Sequence, residues 1–97
     1  MNEAMITKQI WKFQLPVSDI ANIEMPKGAQ ILKVDTQYDI PYIWALVDPS
    51  HEIETKVFEI FGTGHLITYP VGSVRNYIGT FMVEHGTYVF HVFERIK

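Results

Sequence analysis

Between residues 61 and 73 the chain reads Phe-Gly-Thr-Gly-His-Leu-Ile-Thr-Tyr-Pro-Val-Gly-Ser. Glycines at 62 and 64 allow successive backbone N–H groups to turn inward as an anion-holding nest, and Thr63 and His65 add side-chain donors. Arg75, with Lys56 as a second cation, supplies charge for a phosphate, and Tyr77 or Trp44 supplies a ring on which a base stacks. The chemistry this pattern suggests is capture of a small anion, above all an anionic nucleotide. It is not the phosphate loop of nucleotide hydrolases, because no Gly-Lys-Ser/Thr follows and no helix is signalled after it. The competing reading is mechanical: two glycines relieve strain where the chain leaves one sheet for another.

Other constellations are weaker. The four histidines, His51, His65, His85 and His91, form neither an H-x-H nor an H-E-x-x-H pattern, so satisfied or solvated imidazoles are expected rather than a metal site. Ser18, Ser50 and Ser73 lack the G-x-S-x-G context of an activated nucleophile. A hydrolase pairing His65 with Glu59 or Asp48 is the one catalytic arrangement to weigh, and nothing in the spacing calls for it. No catalytic residue, metal or cofactor is therefore expected, and the chain reads as a non-enzymatic binding protein.

Composition sets the frame for these residues. Ninety-seven residues, 47% hydrophobic and 20% charged, suffice for one domain with its own core. With no cysteine, disulfides and thiol chemistry are excluded. The net charge of −3 and eight scattered Lys/Arg offer no concentrated basic face, which disfavours duplex DNA. Apolar runs fall far short of the ~20 residues that span a bilayer, so a soluble protein that stays where it is made is expected.

The elements that must position the loop are strands. Gln9 to Leu15 alternates Trp11, Phe13 and Leu15 against Lys12 and Gln14. Ser18 to Glu24 is ambiguous between one capped helical turn and a short strand around Ile23-Glu24-Met25. Gln30 to Gln37 sets Leu32, Val34 and Thr36 on one face. Tyr38 to Pro41 reads as a connector, and Tyr42 to Val47, apolar on both sides, reads as a central strand covered twice over. Glu54 to Phe61, Arg75 to Val83 and Thr87 to Glu94 complete the set, with His85-Gly86 as a two-residue hairpin turn. Six to seven short strands without a helical stripe predict an all-β domain over residues 1–97, an antiparallel sandwich or partly closed barrel, with residues 1–8 as a flexible N-terminus. The doubly apolar strands predict association into a homo-oligomer.

Taken together, "YIWALVDP", "FEIFGTGHLI" and "YIGTFMVEHGTYVFHVFE" give the chain a resemblance, from Ile10 to Glu94, to a small family of phage- and prophage-encoded proteins of unknown function. The resemblance implies an all-β single domain made in the cytoplasm of an infected bacterium. It implies an accessory role by binding: blocking a host defence protein, sequestering a signalling nucleotide, or serving in the particle. It assigns no residue a role. The resulting candidate ligand site is Gly62, Thr63, Gly64, His65, Arg75 and Tyr77; the alternative is a protein–protein or minor particle module without a small ligand.

Overall fold

A computed structural model describes residues 3–97. Seven strands follow in order: β1 (Gln9–Gln14), β2 (Ile20–Pro26), β3 (Gln30–Gln37), β4 (Ile40–Val47), β5 (Ile53–Gly62), β6 (Arg75–Val83) and β7 (Tyr88–Arg95). All pairings are antiparallel, in a three-stranded sheet β1-β4-β3 and a four-stranded sheet β2-β5-β7-β6. The two sheets pack as a sandwich and do not close into a barrel. Among the described residues no helix is long and apolar enough to cross a membrane. The flexible N-terminus expected over residues 1–8 lies partly outside the described residues; residues 3–8 are exposed and belong to no strand.

The core follows from alternation. Ile43, Ala45 and Val47 from β4 face Phe58 and Ile60 from β5, Phe81 from β6 and Val92 from β7, all buried. Trp11 and Phe13 pack against its margin. Each fully buried side chain of this size contributes roughly 1.5–3 kcal/mol, so the interleaving of the two inner faces supplies the main driving force.

Where the sheets meet at β3 and β6, a glycine sets the distance. A Cβ built on Gly79 would lie 2.8 Å from Val34 Cγ1, so only glycine admits Val34 so closely.

Several expectations are corrected. Ser18 to Glu24 forms no helical turn; β2 is a full seven-residue strand because Ala21, Ile23 and Met25 alternate into the core. The connector at Tyr38 is tighter than expected, since Tyr38 and Asp39 both take positive φ and β4 already runs at Ile40. The hairpin after β6 does turn at His85-Gly86, both at positive φ and closed by Thr87 N–H donating to Glu84 O, but Glu84 also takes positive φ and β7 starts at Tyr88 rather than Thr87. The two turns touch, for Glu84 N–H donates to Asp39 Oδ1 at 2.7 Å.

A bulge at Leu32 breaks the alternation of β3. Ile31 and Val34 face inward, and Leu32 is exposed rather than sharing a face with Val34. Strand β4 is central, yet covered on one side only, because Tyr42, Trp44 and Leu46 stand half-buried on the outer face.

Candidate functional site

The outer face of the four-stranded sheet is built by the register of its strands. Glu59 on β5, Phe93 on β7 and Tyr77 on β6 form one row; Phe61, His91 and Thr80 form the next. Arg75 and Arg95 stand opposite each other at the end of β6 and β7. That last pairing depends on a bulge at Ile78, where β6 carries one residue more than its partner. Without it, alternation would turn Arg75 to the inner face.

Glu59 is the hub. It is only 4% exposed although it lies outside the sandwich core, because the 63–74 loop folds across this face. Arg75 donates to it twice, Nε to Oε2 at 2.6 Å and Nη2 to Oε1 at 2.8 Å, and Arg95 Nε donates to Oε1 at 2.6 Å. The Arg75 hydrogen bonds, together with the one from Arg95, outweigh burial and hold the Glu59 carboxyl below the ordinary glutamate range; the bonds to Glu59 push the Arg75 guanidinium up. Tyr69 from the loop lays its ring 4.5 Å from the Arg75 guanidinium carbon. Arg75 Nη1 is buried without a hydrogen-bond partner. A buried N–H of this kind is uncommon and invites an acceptor.

The glycine stretch forms the base of that loop. Strand β5 ends at Gly62, His65 N–H donates back to Gly62 O at 3.1 Å, and the His65 ring folds over Gly62 so closely that a Cβ there would come within 2.8 Å of Cε1. Gly64 takes φ +86, which an L-residue adopts only under strain. Thr63 N–H donates to Val89 O at 3.2 Å. Two of the N–H groups from which a nest would be made are thus bonded to the chain itself. At its far end the loop is fastened by Val74, which exchanges backbone hydrogen bonds with Ile96 and Lys97.

Two cavities flank Arg75. One, of about 480 Å³, has Phe61 and Phe93 as its floor, Ile67, Tyr69 and Val74 as walls, and Ser73 and Arg75 as its polar groups. The other, of about 330 Å³, brings together His65, Thr68, Arg75 and Arg95, with Glu59 and Asp19 also on its lining.

Of the six residues singled out from sequence, His65 and Arg75 share this second cavity. Gly62 and Gly64 shape the turn. Thr63 and Tyr77 belong to a different feature, a hydrogen-bonded row across the sheet. His91 Nε2 lies 2.7 Å from Thr63 Oγ1 and Nδ1 lies 2.9 Å from Thr80 Oγ1, which also bonds the Tyr77 hydroxyl. A single direction satisfies every member: Tyr77 donates to Thr80, Thr80 to His91, His91 to Thr63, and Thr63 to Val89 O. Tyr77 packs edge-on against Phe93 and so backs the larger cavity from outside.

Sequence reasoning missed Arg95, Tyr69 and the floor aromatics, and met Glu59 only as a catalytic carboxylate. The hint for Glu59 was available in Val57-Phe58-Glu59-Ile60-Phe61, where one acid interrupts an apolar strand. As a partner for His65 it is poorly suited to proton abstraction, since two guanidiniums lower its basicity. Asp48 is engaged elsewhere, by Ser50 and His51. Among the described residues no cluster of three or more His, Asp or Glu side chains could hold a metal ion.

Comparison with protein families places the chain: residues 6–97 match the family described as a domain of unknown function (DUF7352), and the chain belongs to it. No curated protein and no solved structure matches.

Proposed function

We propose that this chain is a non-enzymatic binding module that captures a small anionic ligand carrying a ring, with a nucleotide as the leading class, beneath the 63–74 loop. The observation that carries the reading is Arg75: part-buried, fixed by Glu59 from one side, on the lining of two cavities, and with an Nη1 that no group of the chain bonds. Cavities of a few hundred Å³ with aromatic walls and few polar groups suit small ligands. Relative to the reading from sequence, the anion moves away from the glycine N–H groups and toward the guanidiniums, with His65 kept as a wall. Sequestration of such a molecule, in service of a phage acting on its bacterial host, is the role that the sequence resemblance supports.

Calorimetry with mono-, di- and cyclic nucleotides tests it. Heat that saturates at one site per chain and vanishes in Arg75→Gln supports the reading; no heat with any of them removes it.

A second reading, a protein partner, is favoured by Leu66 and Val71, which are 92% and 106% exposed on the same loop. Burying both against a partner would gain the free energy of removing their apolar area from water. Pull-down from infected cells, lost in Leu66→Asp/Val71→Asp while nucleotide binding persists, would support that partner.

A further inference from the structure

We infer that the site selects its ligand by charge, taking a ring that bears one negative charge in preference to dianions and polyanions; this rests on the ligand-binding reading above. Charges held in fixed geometry set this preference. Arg75 and Arg95 meet at one carboxylate, Glu59, which leaves the cluster one net positive charge. Glu59 is shielded from water by the loop and by both guanidiniums, so solvent cannot easily screen its charge from a ligand alongside.

The linings of the two cavities that flank Arg75 carry no lysine and no third arginine. The larger cavity is lined by Phe61, Phe93, Ile67, Tyr69, Val74 and Ser73 besides Arg75. The smaller cavity carries Asp19 on its lining together with Arg95 and His65. A second negative charge on a ligand at Arg75 would therefore find no new counter-charge, would be opposed by Glu59 behind the guanidinium and by Asp19 if it reached into the smaller cavity, and would lose its own hydration on entry. One acidic group is matched, and a second is opposed.

The floor of the larger cavity favours a ring. Phe61 and Phe93 stand at 5.9 Å between centroids, edge to face, and present an apolar surface in the larger cavity beside Arg75. A flat ring on that floor carries its acid toward the guanidinium, where Ser73 offers a hydroxyl. Two kinds of molecule have this chemistry: a cyclic nucleotide, whose phosphodiester is a monoanion, and an aromatic carboxylate.

The test is a charge series with the intact chain near pH 7.5. Adenosine 3′,5′-cyclic monophosphate and indole-3-acetate provide the two monoanion arms; 5′-AMP, ADP and ATP provide the higher charges. At least one monoanion is expected to bind about 10-fold or more tightly than 5′-AMP, with ADP and ATP weaker still. Glu59→Gln raises the cluster to two positive charges and is expected to reverse the order of the monoanion and 5′-AMP. Arg95→Gln lowers it to none; because that side chain is part exposed at the strand end, the fold should survive, and the monoanion should lose about 10-fold or more.

Should Glu59→Gln fail to fold, the ranking in the unaltered chain and in Arg95→Gln decides. Dianions or polyanions that bind as tightly as the monoanions overturn the inference and leave the binding reading intact. If nothing in the series binds, both fall.

Discussion

Substituting Gly79 by alanine isolates the contact that sets the spacing of the two sheets. The added methyl carbon would stand 2.8 Å from Val34 Cγ1, against the roughly 3.5–4.0 Å at which two carbons rest comfortably. Val34 is 5% exposed and belongs to the core cluster, so it has no free space into which to rotate. The seam must open by several tenths of an ångström or Val34 must leave its preferred rotamer. Overpacking of this kind costs about 1–3 kcal/mol. For a domain of this length each kcal/mol lowers Tm by about 4–8 °C. The backbone at Gly79 is not in the left-handed region, so the cost is purely steric.

That distinction gives the assay. Val34→Ala alone creates a cavity and costs of order 2 kcal/mol. In that background Gly79→Ala has room and should be neutral or slightly stabilising. Urea unfolding of the four proteins should therefore yield a coupling of about 1–3 kcal/mol with unchanged m-values. Single-mutant effects that add to within about 0.5 kcal/mol would refute the steric argument.

Three further outcomes follow from the geometry. Because Glu59 is depressed in the folded state, its contribution to stability is fully present above the ordinary glutamate range, near pH 4.3, and is lost as pH falls through the depressed value; urea midpoints should be level from pH 8 to 6, fall below about pH 4, and fall less steeply in Glu59→Gln. Phe58→Ala removes a fully buried ring and should cost about 3–5 kcal/mol, measured by chemical denaturation. Asp39→Ala removes the acceptor for Glu84 N–H and puts a residue poorly suited to positive φ in the turn; a loss of about 1–2 kcal/mol and faster amide exchange at Glu84 are expected.

The strands were legible where period-two alternation met a buried face. Strand β7 shows this best: Phe90 and Val92 turn to one side and His91 and Phe93 to the other, as written in the sequence. Alternation fails at bulges, which leave no mark in composition; Leu32 and Ile78 look like ordinary strand residues. The site was half legible for the same reason. His65 and Arg75 were selected for their chemistry and do share a cavity. Arg95 was invisible as their companion, because its position opposite Arg75 depends on long-range register and on the Ile78 bulge. Tyr69 and Glu59 acquire their roles only when the loop covers the sheet, a tertiary event without a local signature.

The surplus residue at Ile78 has a consequence for how this sequence tolerates change in length. Deleting Ile78 would leave a regular strand, with Gly79 opposite Val92 and Tyr77 still opposite Phe93, so Arg75 would stay opposite Arg95 on the outer face. Insertions and deletions in most surface hairpins merely lengthen or shorten a tip. Here a mid-strand residue can be lost with the outer face kept, whereas drawing Ile78 into the ladder would slip the upstream half of β6 by one and turn Arg75 inward, leaving Glu59 to Arg95 alone.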